Sequence, residues 1–117
     1  MSSVLIVDDD PGHLRIYGWI VEAAGYRALP VPACADGLRL PEEPVDMALL
    51  DYHLIGSMSA VEAATQIRGR FPEAPIVLLS DALVLPEDIA PFVQGFVRKG
   101  NPAVLVETLH RLLKPTP

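Results

Sequence analysis

Val4-Leu5-Ile6-Val7-Asp8-Asp9-Asp10-Pro11 is the stretch that decides the fold. Its four apolar residues, three of them β-branched, are too few for a helix and lack the alternation of a half-wet strand. They predict a strand buried on both faces. Asp10 followed by proline is an N-cap with proline at the first helical position. His13, Ile16, Tyr17, Ile20 and Ala24 then recur at helical spacing, and Gly25 supplies the C′ stop. Strand, acidic turn and helix make the first unit.

The same order recurs downstream. Tyr26–Val31 is a second strand, which Pro30 and Pro32 confine to a sheet edge. Residues 33–43 make a weak helix, interrupted by Gly37 and Pro41. Val45–Leu50 is a third strand ending in Asp51, and Ser59-Ala60-Val61-Glu62 is a capping box opening a helix to Arg70. Pro75–Leu79 is a fourth strand ending at Ser80, and a fourth helix is expected over 85–92. Gly95–Arg98 is a fifth strand ending at Lys99. Asn101-Pro102 caps the last helix, whose apolar face is Val104, Leu105, Leu109 and Leu112. Strands alternating with helices predict a doubly wound α/β fold: a five-stranded parallel sheet with helices on both faces.

Composition bounds the rest. The 117 residues suit one domain over 1–117, with 114–117 as a tail or the start of a linker. Residues 1–58 carry nine acids and three arginines, whereas residues 59–117 carry six of each sign. An acidic half argues against direct nucleic-acid binding and suits a cation. The lone Cys34 has no internal disulfide partner, and no apolar stretch nears the roughly 18 residues of a membrane span. A soluble, cytoplasmic protein that neither inserts in a membrane nor touches nucleic acid directly is expected.

In open parallel sheets ligands bind beyond the carboxyl ends of the strands. Those ends carry Asp8, Asp9 and Asp10, then Asp51, then Ser80 and Asp81, then Lys99. Adjacent strands lie about 4.8 Å apart, and two carboxylates at about 4 Å repel by roughly 4 kcal/mol at an effective dielectric near 20. A cation must relieve that, and Mg²⁺, held by one or two carboxylates, is the natural one. A phosphoryl group at Asp51 would meet the metal, the Ser80 hydroxyl and the Lys99 ammonium, which is phosphoryl transfer by positioning onto a carboxylate. Asp10 is assigned to capping.

With these residues in place, the chain resembles a response-regulator receiver domain over essentially its whole length. Val4–Pro11, Met47–Leu54, Pro75–Ser80 and Gly95–Lys99 carry the likeness. The resemblance implies a flavodoxin-like strand order 2-1-3-4-5 and a role for each signature residue. Asp51 would take a phosphoryl group from the phosphohistidine of a histidine kinase or histidine phosphotransfer domain. Asp8, Asp9 and Asp51, with the backbone carbonyl of His53, would hold Mg²⁺. Ser80 would follow the phosphoryl group, Lys99 would pair with it, and Phe96 would be the aromatic switch. The surface of the fourth helix, fifth strand and fifth helix would carry output or a homodimer contact. The protein would be a signalling switch, catalysing only its own phosphorylation and dephosphorylation.

Several positions depart from the family pattern. Gly100 stands where a proline is usual. The loop after Asp51 is one residue longer than the commonest type and resembles receivers of hybrid histidine kinases; its usual proline is Ile55 and its usual glycine is Ala60. Asp81 adds negative charge where a small residue is usual and, with the His53 side chain, is a modulator of phosphorylation. Asp81 and Gly100 motivate an alternative, a degenerate receiver that binds partners without being phosphorylated. A Mg²⁺-dependent hydrolase with an aspartyl-phosphate intermediate is disfavoured, because Asp51-Tyr52-His53 lacks that group's Asp-x-Asp. A flavodoxin-like nucleotide site is excluded by the acidic turn after the first strand.

Overall fold

The structure, a computed structural model, describes residues 1–54, 56 and 58–113. Strands β1 (Ser3–Asp8), β2 (Arg27–Pro32), β3 (Met47–Asp51), β4 (Ile76–Ser80) and β5 (Gly95–Arg98) form one sheet in the order β2-β1-β3-β4-β5. Every pairing is parallel, so each connection is a crossover, two of them through the helices α1 (Pro11–Ala23) and α2 (Ala60–Arg70), and the helix α3 (Pro102–Leu112) follows β5. β2 is an edge, where the missing N–H of Pro30 and Pro32 costs no inner ladder bond. The central strands β1, β3 and β4 are buried along their whole length.

The two-residue period of the strands divides the core. Val4, Ile6, Met47, Leu49, Val77, Leu79 and Val97 project to one face, against Val21 of α1 and Leu105 and Leu109 of α3. Leu5, Val7, Ala48, Leu50, Ile76 and Leu78 project to the other, against Ala63, Ala64 and Ile67 of α2 and against Ile89. The helix starts follow the cap signals. Asp10 Oδ1 accepts from the Gly12 N–H at 2.8 Å, and Ser59 Oγ accepts from the Glu62 N–H at 3.1 Å. Gly25, at φ 98°, ends α1 in the left-handed region that only glycine enters freely.

Two predicted helices do not form. Residues 33–43 turn back on themselves through a Cys34–Gly37 bridge, with Gly37 at φ 116°, and the Leu38 N–H is taken up by Gln66 of α2. Over 85–92 the chain makes one 3₁₀ turn, Ala90–Phe92. Pro86 can open a helical turn, but the ring of Pro91 would strike the Glu87 carbonyl, so the turn cannot propagate. The segment is anchored instead by fully buried Ile89, and it leaves Leu83 and Val84 about three-quarters exposed (77% and 76%). The expected contact surface thus has no fourth α-helix. Trp19, off the apolar stripe of α1, is 63% exposed. The expected tail at 114–117 lies outside the described residues.

Arg68 supplies part of what the missing helix would have given. Its guanidinium donates to the carbonyls of Pro72, Ala74 and Phe92 and to Oε1 of Gln94, the oxygen that also accepts the Ile76 N–H. One side chain therefore ties the end of α2, the start of β4 and the 3₁₀ turn. Arg68→Ala is expected to lower stability by about 2 kcal/mol, since it strands these acceptors. Arg68→Lys should recover little, because an ammonium cannot span the fork. Urea unfolding of both variants checks this.

Candidate functional site

The register brings the strand-end residues to one rim. Val7 pairs with Leu50, Asp51 with Leu79, and Ser80 with Arg98, so Asp8, Asp51 and Ser80 stand at adjoining strand ends. The Lys99 N–H then donates to the Ser80 carbonyl at 2.9 Å, fixing the start of the β5–α3 turn. Alternation sorts the side chains. Asp8 follows Ile6, Asp51 follows Leu49 and Lys99 follows Val97, all on the face covered by α1 and α3. Ser80 follows Leu78, with Phe96 paired to Leu78 and packed against the other core half, on the face of α2.

Asp8 and Asp51 are all but inaccessible, at 1% and 2% exposure. Asp51 Oδ1 lies 2.7 Å from Lys99 Nζ and accepts from the His53 N–H at 3.3 Å. Asp8 Oδ1 accepts from the Asp10 N–H at 3.0 Å. Burial pushes the Asp8 carboxyl up to about 6; the Asp10 N–H opposes this and the facing Asp51 carboxylate reinforces it. Burial alone would lower the Lys99 ammonium, but its hydrogen bond to Asp51 and the two negative charges outweigh that and raise it. Tyr17 of α1 flanks the site, its phenol raised chiefly by burial. Two buried acids and one ammonium leave an unbalanced negative charge.

Oxygen donors so placed fit a small hard divalent cation, which takes one or two carboxylates and keeps waters. The ligand atoms of Asp8, Asp51 and His13 lie within 4.8 Å of one another. Asp9 is half-buried beside this group and outside it. His13 is the residue that sequence reasoning missed in this role. It sits three residues after the Asp10 cap, where a side chain leans back toward the helix N-terminus and hence toward the rim. Ser80 is fully buried, its Oγ accepting from the Ala82 N–H at 3.1 Å, and Phe96 is half-buried. The His53 side chain and Asp81 are exposed at the edge of the site.

Gly100 turns directly after Lys99 at φ 82°. Proline, locked near φ −65°, cannot take that conformation, so the departure from the family pattern is built into the turn that aims Lys99. Gly100→Pro is expected to cost more than about 1 kcal/mol and to loosen the Lys99–Asp51 contact. A urea midpoint below that of Gly100→Ala would show it. Tyr52 adds a second tie, its hydroxyl donating to Asp88 at 3.0 Å across to the segment before the 3₁₀ turn.

The family profile described as "Response regulator receiver domain" matches residues 4–108. Among curated proteins, the chain is 31% identical over 95 residues to the transcriptional regulatory protein GlrR of Escherichia coli K12, covering 80% of this chain and 21% of that one. It is 30% identical over 121 residues to YvrH of Bacillus subtilis 168, another transcriptional regulatory protein, covering 98% and 50%. The chain thus spans from a fifth to half of the length of these relatives. Among solved structures, the response regulator TrrA of Thermotoga maritima in complex with Mg²⁺–BeF is 25% identical, with TM-score 0.79 over 96% of this chain and 99% of that one. The likeness to receivers of hybrid kinases draws no support from these relatives, and its loop includes Ile55 and Ser57, outside the described residues.

Proposed function

Because the chain belongs to the response regulator receiver family of two-component signalling, whose members are phosphoacceptor domains and not turnover enzymes, we propose that Asp51 is its phosphoacceptor. The donor is the phosphohistidine of a partner histidine kinase or histidine phosphotransfer domain in the cytoplasm. The observation that carries this reading is the Asp51 carboxylate, held against Lys99 Nζ at 2.7 Å beside the equally buried Asp8. An Asp51 oxygen forms the new P–O bond as the P–N bond to the donor imidazole breaks. The electron pair returns to the ring nitrogen, which takes up a proton from water, and an acyl phosphate remains on Asp51. Lys99 balances the charge of the acyl phosphate.

Asp8, Asp9 and Asp51, with the His53 carbonyl, would hold Mg²⁺, which supplies charge neutralisation at the phosphoryl oxygens. Ser80 moves to the modified Asp51, and Phe96, on the same face of the sheet, follows into the space it leaves. That movement shifts the population of the surface formed by β5, α3 and the Leu83–Val84 loop. Asp81, exposed at the rim, repels an anionic donor and slows transfer without preventing it. No helix among the described residues is long and apolar enough to cross a membrane.

Intact mass after incubation with phosphoramidate tests this. One added phosphoryl group is expected in the presence of Mg²⁺, with none after chelation and none in Asp51→Asn. Absence of any addition, with a donor kinase as well, would leave the degenerate receiver as the better reading.

A further inference from the structure

We propose that His13 is a further protein ligand of the cation site and tunes it toward a borderline first-row cation such as Mn²⁺ over Mg²⁺. This rests on the reading of Asp8 and Asp51 as that site. His13 Nδ1 lies 3.2 Å from Asp8 Oδ2. Two donors in adjacent positions of an octahedral ion with bonds of about 2.1–2.3 Å stand about 3.0–3.3 Å apart, so this pair already has the spacing of one coordination edge. With Asp51 the three ligand atoms fall within 4.8 Å. That set, two carboxylates and one imidazole, mixes hard oxygen with a borderline nitrogen.

The far side of the ring supports the same assignment. Nδ1 now shares a hydrogen bond with Asp8 Oδ2, and Nε2 lies 3.7 Å from Asp10 Oδ2, a carboxylate near enough to draw the ring proton to the outer nitrogen when a cation takes its place between Nδ1 and Asp8. Tyr17 packs against the imidazole edge-on, with ring centroids 6.2 Å apart, which limits its rotation. At 42% side-chain exposure, His13 is also open enough for a hydrated cation to arrive. A nitrogen donor adds little for Mg²⁺, which prefers oxygen and dehydrates reluctantly, and more for cations later in the first row. The competing role for His13 is a counter-charge that pairs with Asp8 and opposes a cation; it makes the opposite prediction for removing the ring.

Calorimetric titration of the full chain with Mg²⁺ and with Mn²⁺ decides between them, for wild type, His13→Ala, His13→Gln and Asp51→Asn. The preference for Mn²⁺ over Mg²⁺ is expected to fall about tenfold in both His13 variants. Pulsed electron paramagnetic resonance of the Mn²⁺-loaded protein should show coupling to nitrogen in wild type and in His53→Ala, and none in His13→Ala. An unchanged preference, no nitrogen coupling in wild type, or tighter Mg²⁺ binding after His13→Ala overturns the assignment. Mn²⁺ binding undiminished in Asp51→Asn would instead remove the underlying site, and the assignment with it.

Discussion

Lys99→Ala is expected to destabilise the protein by about 2–3 kcal/mol at pH 8, and by much less at pH 5. Lys99 Nζ lies 2.7 Å from Asp51 Oδ1, and the two side chains are 15% and 2% exposed. Removing one partner of a buried pair strands the other charge, which costs several kcal/mol when fully enclosed; the partial exposure of Lys99 sets the smaller figure. Its raised pKa means this stabilisation is intact throughout the neutral range and is lost only as pH rises through the ammonium's own titration. In the variant, Asp8 and Asp51 face each other uncompensated, and a proton shared between them becomes the cheapest relief. The deficit should therefore shrink as pH falls below about 6, where Asp8 already titrates. Equal losses at both pH values in urea unfolding would mean that the lysine stem matters only as packing. The same variant should take up the phosphoryl group with its switch uncoupled, since no ammonium remains to hold the modified side chain.

Asp8→Asn has the opposite sign. The Asp8 carboxyl is raised from 3.8 to about 6. Its contribution to stability is fully present below 3.8 and is lost as pH rises through 6, since the folded state holds the proton more tightly than the unfolded chain. That rise corresponds to about 3 kcal/mol at neutral pH. An asparagine keeps an acceptor for the Asp10 N–H without the ionisation, so the metal-free variant is expected to be more stable than wild type by about 2–3 kcal/mol at pH 7. The gain should fade toward pH 4. Divalent cation reverses the ranking: it stabilises wild type by mass action and should leave Asp8→Asn unmoved. Thermal unfolding at pH 4, 5.5 and 7, with and without Mg²⁺, checks both halves. A variant less stable than wild type at pH 7 without metal would contradict the idea that this rim is held at the expense of the fold.

The parts of the fold legible in the sequence were those encoded locally. The Val4–Val7 and Ile76–Leu79 runs, the Asp10-Pro11, Ser59–Glu62 and Asn101-Pro102 caps, and the edge position of β2 each rest on neighbouring residues, and the structure keeps them. The helices expected over 33–43 and 85–92 failed for local reasons that were also visible, Gly37 and Pro41 in one, Pro86 and Pro91 in the other. The doubly wound pattern favours helices at both places, and in the folded chain these local breakers prevail. The rim was legible because parallel strands all end on one side. What spacing could not give was His13: its role depends on how α1 docks beneath Asp8, a tertiary fact, and on its own helix it reads only as part of the buried stripe. The division of the rim, with Ser80 and Phe96 on the face opposite Asp8, Asp51 and Lys99, could have been read from strand alternation.

The most direct test of Asp51 as phosphoacceptor is chemical. An acyl phosphate is open to hydride, so borohydride reduction after phosphorylation converts the modified aspartate to homoserine, which peptide mapping locates by mass. Homoserine at position 51 alone, formed only when divalent cation is present, is the expected result. Homoserine at Asp8 or Asp9, or a phosphoryl group retained on His13 or His53, would contradict it.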